Sequence, residues 1–359
     1  MSVPIKGGRI VTAADDFVAD VLIERETIAA VGTSLGGSAD RVIDAAGKYV
    51  IPGAIDPHTH MEMPFGGTVS CDDITSGTVS AAFGGTTALV DFCLQAPGQS
   101  IPEALATWHE KIEHCPPVID VGFHLAIDVL VKQALAEGKT EPRWHAATRP
   151  PETEAEATNR AVKLAHIAGC PLYIVHVSCQ ESVEPIQVAR SRGWRTWGET
   201  CTQYLFIDET RLEEPDFAGA KYVYTPPPRA AVNHERLWTA LRTGVLSVVS
   251  TDHCPFRWKD QKTLGREDFS KIPNGGPGIE NRLHMLHHFG VREGRLTMNQ
   301  LVDLCCTQPA RLFGLFPRKG RSSPAPTPTS SCGTARSHSR CRPRRITATS
   351  TTTCLRGPR

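Results

Sequence analysis

The sequence predicts an α/β protein that contains an incomplete (β/α)8 TIM-like barrel and a small β-domain built from the N-terminal segment. From residue 50 onward, continuous apolar runs alternate with helical patterns, which is typical of buried parallel strands that are each followed by a helix. Several such units in a row favour a barrel, although a doubly wound sheet stays an alternative. Six candidate strands are present, whereas a barrel of this type has eight. We therefore expect about two βα units to be missing.

The predicted elements follow one another regularly as far as residue 127. The apolar runs that predict strands are Tyr49–Ile55, Thr86–Phe92, Val118–Ile127, Pro171–Val175, Arg195–Gly198 and Val245–Ser250. The patterns that predict helices are Ile101–His114, Val129–Glu137, Glu154–Ala168 and Ser182–Arg192. The second and third helices follow each other directly, because the loop Gly138–Pro151 contains no strand-like run. A parallel barrel that passes from helix to helix has lost a strand, so we place the interruption near residues 127–129.

The chain divides into three segments. Residues 1–52 carry short β-like runs punctuated by glycine, which indicates a half-sheet that needs a partner from elsewhere in the chain. Residues 53–320 form the interrupted barrel. Residues 321–359 contain eight arginines but no acidic and no aromatic residue. This basic tail, rich in serine, threonine and proline, cannot bury enough apolar surface to offset the entropy lost on ordering, so we expect it to be disordered.

The composition argues against nucleic-acid and membrane partners. The net charge is +1, and residues 1–320 carry 31 basic against 38 acidic side chains. The basic tail offers no aromatic ring for stacking on bases. No apolar run approaches the about 18 residues of a membrane span, and the first residues lack the apolar stretch of a secretory signal. The twelve cysteines form no Cys-x-x-Cys pair, so we expect reduced thiols and a cytoplasmic protein.

The strongest functional signal is a pair of histidines at the end of the first predicted barrel strand. His58 and His60 are two positions apart on an extended segment, so their side chains project to the same face. His176 ends a second apolar strand and Asp252 ends a third. In a barrel these strand ends meet at one mouth, where the side chains can bind a metal ion such as Zn²⁺. We expect His253, beside Asp252, to point away or to hydrogen-bond to a ligand.

A metal ion with such ligands suits hydrolysis, because it lowers the pKa of bound water to about 7 and a carboxylate can carry the released proton. Asp252 is the candidate for both ligand and general base. A His-x-His pair alone also fits two hydrogen-bonded surface histidines. The two further strand ends favour the metal site.

The chain resembles the dihydropyrimidinase/D-hydantoinase family of the amidohydrolase superfamily from about residue 5 to residue 320. The motifs that carry the resemblance are Gly53–His60, Phe83–Asp91, Tyr173–Ser178, Gly198–Tyr204, Thr251–Phe256 and Lys271–Pro277. The resemblance implies a (β/α)8 barrel, a small β-sandwich made from both chain ends, and hydrolysis of cyclic ureides to N-carbamoyl amino acids. It also implies two Zn²⁺ ions per subunit, a small-molecule cyclic ureide such as a dihydropyrimidine or hydantoin as substrate, and a homotetramer.

The resemblance implies roles for the metal-binding residues. His58, His60 and Asp252 match the ligands of one metal ion. His176 matches a ligand of the other ion, and Asp252 also matches the proton shuttle.

Two further residues match substrate-binding positions of the family. Thr225 falls where members use a serine to bind substrate through its backbone, and Asn274 matches the second backbone contact to the ring amide. The change from serine to threonine is expected to matter little if only main-chain atoms are used.

Three features of the family are not found in the sequence. They are a carboxylated lysine that bridges the two metal ions, a further histidine in a Val-His-Ala-Glu-like segment, and a tyrosine that stabilises the oxyanion. Lys132 and Lys139 lie in or just after a helical pattern and are poor substitutes for the bridge, while His124 fits a strand interior. We therefore expect this chain to fold poorly and to be nearly inactive.

Two other functions are compatible with the resemblance. One is a non-catalytic dihydropyrimidinase-like protein, although such a protein would have little reason to keep the four metal-competent side chains. The other is an allantoinase or dihydroorotase-type hydrolase. A dihydroorotase binds a substrate carboxylate, and the segment Met61–Met63 after the two histidines does not suit an anion.

Overall fold

The computed structural model describes residues 2–35, 39, 41–65, 67–94, 99–126, 140–322 and 353–356. The predicted helix Val129–Glu137, Lys132, Lys139 and the side chain of His124 lie outside this description. The strands are β1 (Ser2–Val11), β2 (Asp16–Glu24), β3 (Thr27–Gly32), β4 (Ile43–Asp44), β5 (Lys48–Ile51), β6 (Ala54–Thr59), β7 (Pro64–Phe65), β8 (Thr68–Val69), β9 (Thr86–Leu94), β10 (Asp120–Ala126), β11 (Leu172–Ile174), β12 (Thr196–Cys201), β13 (Val248–Ser250) and β14 (Thr353–Arg356).

The α-helices are α1 (Ile74–Phe83), α2 (Ile101–His114), α3 (Trp144–Ala147), α4 (Pro151–Ala168), α5 (Gln180–Ser191), α6 (Val232–Arg242), α7 (Arg282–Met285), α8 (Met298–Val302) and α9 (Gln308–Leu312). Shorter 3₁₀ segments span Thr202–Leu205, Glu209–Glu213, Ala218–Tyr222, Lys262–Gly265 and Phe269–Lys271. π-Helical segments, Leu286–Arg292 and Asp303–Thr307, continue α7 and α8. Within the described residues, no helix is both long and apolar enough to cross a membrane.

The N-terminal segment supplies five strands of a six-stranded sheet, and residues 353–356 supply the sixth; the order is β14-β5-β1-β2-β3, and β4 also pairs with β1. Strands β1 and β2 form an antiparallel hairpin, whereas β4 and β5 run parallel to β1. The inner face buries a small apolar cluster that includes Ile5, Ile10, Val21 and Val50. This sheet is the small β-domain that the glycine-punctuated runs predict.

The tail differs from the prediction of disorder at residues 353–356. These residues form β14, which pairs antiparallel with β5 and places Leu355 opposite Tyr49. The physical reason is that β5 presents unpaired backbone groups at the sheet edge, and any extended segment can satisfy them whatever its side chains are. The composition of residues 321–359 could not reveal this pairing, because it depends on the backbone of β5.

Six parallel strands of the described residues build the barrel. They form two three-stranded sheets, β10-β9-β6 and β11-β12-β13. A parallel bridge between Thr59 and His253 joins the two sheets, so that the order becomes β10-β9-β6-β13-β12-β11. The described part of the chain between β10 and β11 contains α3 and α4. The interruption near residues 127–129 falls where the description stops after β10, and it stays a prediction.

Most predicted boundaries agree with the structure to within a few residues, and helix α2 begins and ends where it is predicted. Its start is fixed by a capping box in which Ser100 and Glu103 each bond to the other's backbone. The predicted strand Tyr49–Ile55 is wrong as a single element, because it is divided between β5 and β6. Pro52 has no N–H to donate to a ladder, and at this point the chain leaves the small sheet for the barrel.

A buried arginine fixes the strands that bear the site. Arg282 is fully buried and donates hydrogen bonds to the carbonyls of Ile55 and Val249 at 3.0 and 2.9 Å, and to the hydroxyl of Thr86 at 3.0 Å. These three acceptors lie on β6, β13 and β9. Because one rigid guanidinium ties three neighbouring strands, the ends of these strands are held in a fixed register.

Candidate metal centre

The two histidines of the His-x-His pair are held at the end of β6 by the segment that follows β13. The His60 N–H donates to the His253 carbonyl at 2.9 Å, and the Asp252 N–H donates to the His58 carbonyl at 3.1 Å. Every residue of β6 is buried. The chain therefore brings two imidazoles and a carboxylate to one point from segments almost 200 residues apart.

The three side chains converge on one carboxylate oxygen. Asp252 Oδ1 lies 3.3 Å from His58 Nε2 and 3.0 Å from His60 Nε2. One ligand atom from each residue lies within 4.8 Å of the other two. His60 Nδ1 is buried without a hydrogen-bond partner in the described residues. Two nitrogens and one oxygen form the three-ligand set typical of a catalytic zinc site with an open position, so these residues fit a divalent cation.

His176 lies beside this cluster but outside its three-donor set. Its ring centroid is 5.4 Å from that of His58. Both His176 and Asp252 have positive φ angles, 39° and 52°, which are uncommon for residues other than glycine. Such backbone strain is found most often at functional sites.

Glu199, at the fourth position of β12, is the functional residue that sequence reasoning missed. It is fully buried, and its Oε1 accepts a hydrogen bond from His58 Nδ1 at 2.6 Å. Its Oε2 accepts a hydrogen bond from the Tyr173 hydroxyl at 2.7 Å. The signal available in the sequence was a carboxylate within an otherwise buried strand of the motif Gly198–Tyr204. Its partner could not be named without the fold.

The electrostatics favour binding of a cation. Burial lowers the pKa of His58, but the carboxylates of Asp252 and Glu199 outweigh burial and raise it to about 9. Burial raises the pKa of Asp252, but His58 and His60 outweigh it, so the Asp252 pKa lies below its ordinary value. Burial raises the pKa of Glu199, but His58 outweighs burial and the pKa lies below its ordinary value. The site therefore concentrates negative charge around the His58 ring, and a metal ion would compete with a proton for Nε2.

Phe92 of β9 forms an apolar wall against both imidazoles. Its ring stacks on His58 with centroids 4.3 Å apart, and it lies 5.1 Å from the His60 ring. The wall limits the rotation of the rings and excludes water from one side of the cluster. Exclusion of water strengthens the electrostatic interactions of the site.

The chain is similar to known proteins in both sequence and fold. No protein-family model matches the chain. The D-hydantoinase of Geobacillus stearothermophilus is 46% identical over 380 residues, which cover 88% of this chain and 80% of that protein. Crystal structures of a dihydropyrimidinase from Brevibacillus agri and a D-hydantoinase from Bacillus sp. AR9 are 45% and 47% identical, with TM-scores of 0.86 and 0.85. Each comparison covers 90% of this chain and 84% of the solved one.

The chain belongs to the D-hydantoinase/dihydropyrimidinase family. Its fold is the TIM barrel of these structures with their small β-sandwich domain, and its lineage is that of metal-dependent enzymes that hydrolyse cyclic amides. The 380 aligned positions exceed the 359 residues of this chain, so the Geobacillus hydantoinase contains segments that this hydantoinase-family chain lacks. The expectation of an internal deletion is consistent with that excess.

The two segments expected to bind the ring lie next to each other in this family member. The Gly275 N–H donates to the Val223 carbonyl at 3.0 Å, which joins the loop of Asn274 to the segment before Thr225. Thr225 is exposed, and Asn274 Oδ1 is buried without a hydrogen-bond partner in the described residues. The loop is tied in turn to the end of β13, because the Cys254 N–H donates to the Gly276 carbonyl at 3.1 Å.

His253 points away from the cluster. Its Nε2 lies 2.8 Å from Asp72 Oδ2, and its Nδ1 accepts a hydrogen bond from the Gly278 N–H at 3.1 Å. The prediction that His253 serves as a supporting residue rather than a ligand agrees with this position.

Proposed function

We propose that this chain opens cyclic ureide rings by hydrolysis at a centre that binds one divalent cation, zinc by the character of its donors, through His58, His60 and Asp252. The observation that carries the proposal is the convergence of two imidazole nitrogens on one carboxylate oxygen at 3.3 and 3.0 Å. The proposed substrates are hydantoins or dihydropyrimidines, because these rings appear in the names of the relatives.

A second ion is less well supported. In the described residues, His176 is the remaining imidazole beside the cluster. Lys132 and Lys139, which follow a helical sequence pattern and are poor candidates for a bridge between two ions, lie outside the described residues. We propose therefore that one ion binds with useful affinity. When bound, zinc lowers the pKa of a coordinated water so that hydroxide is available near neutral pH.

The residues of the chain account for the proton transfers. The oxygen of the attacking water forms a bond to a ring carbonyl carbon, and the Asp252 carboxylate accepts the proton that the water loses. The ring C–N bond then breaks, and Asp252 returns the proton to the leaving nitrogen, which gives an N-carbamoyl amino acid. Glu199 holds the Nδ1–H of His58 and so keeps Nε2 free to face the cation. The backbones at Thr225 and Asn274 hold the ring amide.

No observation favours the two alternative functions, a non-catalytic dihydropyrimidinase-like protein and an allantoinase or dihydroorotase-type hydrolase. A scaffold protein would need no buried carboxylate on the Nδ1 of a metal-competent histidine. Two further expectations stay predictions: assembly as a homotetramer and a cytoplasmic location. The nine cysteines between Cys71 and Cys306 are free thiols, which supports a reducing compartment.

A substrate panel tests the proposal. Zinc-loaded protein is incubated with a 5-substituted hydantoin, dihydrouracil, allantoin and dihydroorotate, and ring opening is followed by the appearance of the N-carbamoyl product. We expect slow opening of hydantoin or dihydrouracil, and a further loss of about 10²-fold or more in Asp252→Asn. Asp260→Asn is the matched control, because Asp260 is an exposed residue that pairs with Arg257 at the surface. A folded, zinc-loaded chain that opens none of these rings would support the non-catalytic reading instead.

A further inference from the structure

A buried lysine lies behind the segments that are expected to hold the substrate ring. Lys262 is 3% exposed, and its ammonium nitrogen lies 2.9 Å from the Val223 carbonyl, 2.6 Å from the Pro273 carbonyl and 2.8 Å from the Gly275 carbonyl. An ammonium group has three N–H donors, and here each has one carbonyl acceptor. All three N–H groups of the Lys262 ammonium group are therefore hydrogen-bonded.

Burial of the Lys262 ammonium group costs free energy. In the described residues, Lys262 forms no ion pair with a carboxylate, and the hydrogen-bond acceptors of its amino group are the three carbonyls. Burial lowers the pKa of Lys262 to about 7. Burial of a charge without a counter-charge is unfavourable, but an apolar side chain in the same space would deprive the Val223, Pro273 and Gly275 carbonyls of this donor. What the ammonium group adds is a connection between two separate backbone segments.

The two segments are those next to the expected substrate contacts. Val223 lies two residues before Thr225, and Pro273 and Gly275 lie on either side of Asn274. Gly275 itself packs closely against the end of β13, because a Cβ at this position would lie 2.2 Å from the Cys254 carbonyl oxygen. The lysine therefore fixes these segments relative to each other and, through Gly275, relative to Asp252.

A second buried donor serves the same segment. His145 Nε2 donates to the Tyr224 carbonyl at 2.9 Å, and its side chain is 1% exposed. The carbonyls of Val223 and Tyr224 are thus both paired with buried side-chain donors, and the exposed Thr225 follows them directly. Two buried side chains, Lys262 and His145, thus donate hydrogen bonds to the backbone of residues 223–224.

We propose that Lys262 is a positioning residue, whose ammonium group joins the Val223 segment and the Pro273–Gly275 loop into one rigid wall for the substrate ring. The assignment of this wall to substrate rests on the proposed function. The connection between the segments does not, so the two can be tested separately.

The experiment compares wild type with Lys262→Met, Lys262→Arg and the control Lys259→Met, which removes an exposed lysine three residues away. Amide hydrogen exchange is measured by mass spectrometry in the metal-loaded, ligand-free chain. In Lys262→Met we expect exchange in residues 221–226 and 272–278 to become at least about tenfold faster, with no change in residues 180–201. Lys262→Arg should show a smaller local increase, because a guanidinium cannot place three donors at one atom.

The kinetic arm uses hydantoin as the substrate. We expect the KM of Lys262→Met to rise about tenfold while kcat changes less than about threefold, because a misplaced wall weakens binding and leaves the metal ligands intact. Exchange that is unchanged in both segments, or that rises equally throughout the chain, would overturn the connection. A loss confined to kcat would overturn the positioning role. If Lys262→Met does not fold, Lys262→Arg is judged by the same local exchange and KM criteria.

A wild-type chain that does not open hydantoin would contradict the proposed function. The exchange result would still decide whether Lys262 joins the two segments.

Discussion

Replacement of Glu199 by glutamine tests how this chain holds His58, a proposed metal ligand. The carboxylate accepts hydrogen bonds from His58 Nδ1 at 2.6 Å and from the Tyr173 hydroxyl at 2.7 Å. A glutamine of the same shape can accept only one of these and turns its amide hydrogens towards the other donor. A hydrogen bond to a charged group contributes about 1.5–3 kcal/mol. We therefore expect zinc affinity to fall by about 10–100-fold, the range found for loss of carboxylates that orient histidine ligands.

Competition with a chromophoric zinc chelator gives the dissociation constant directly. The matched control is Glu209→Gln, an exposed glutamate ten residues further along the chain whose removal should leave the dissociation constant unchanged. Circular dichroism establishes that both variants keep the wild-type fold. Equal zinc affinity in Glu199→Gln and wild type would show that Glu199 does not orient His58 for a metal, and the role assigned to it would be abandoned.

Two further predictions concern stability. Burial lowers the pKa of His145 to about 3, with Arg149 and Lys262 acting in the same direction, so the unfolded chain binds more protons between pH 3 and the ordinary histidine value of 6.5. This contribution is complete above pH 6.5, and the free energy of unfolding should fall by about 1.4 kcal/mol per pH unit as pH decreases through the window. Urea titrations of His145→Gln should show a shallower fall, whereas the exposed His284→Gln should behave as wild type. Leu237→Ala, at a fully buried core position, should cost about 2–5 kcal/mol, whereas Leu164→Ala at a 60% exposed position should cost little; equal urea midpoints would contradict this packing.

The barrel could be predicted from the sequence because its strands are buried on both faces. Continuous apolar runs followed by helical patterns, such as the run that forms β9, are typical of parallel strands covered on both faces, and the number of such units in a row favoured a barrel over a doubly wound sheet. The division between β5 and β6 could not be predicted, because one apolar run supplies both and the change of sheet is set by tertiary packing. The pairing of β14 with β5 could not be predicted from composition, because edge pairing uses backbone groups that are present in every residue type except proline.

The proximity of the candidate ligands could be predicted from the sequence, whereas the residues that hydrogen-bond to them could not. His58, His60 and Asp252 end predicted strands, and the convergence of strand ends is a property of the barrel itself. Glu199 supports the site through His58, which is 141 positions away in the sequence. Lys262 contacts Val223 and Pro273, which are 39 and 11 positions away. No local pattern encodes such contacts. His176 was predicted as a ligand and lies beside the cluster, but its role stays a proposal.

The zinc content of the purified, folded chain tests the central claim most directly. The chain is loaded with excess zinc, desalted and measured by plasma mass spectrometry alongside His60→Asn. We expect about one zinc ion per wild-type chain, held by the three ligands typical of such a site, and much less in the variant. A folded wild-type chain that retains no zinc, or that retains two ions per chain, would contradict the proposed single-ion centre.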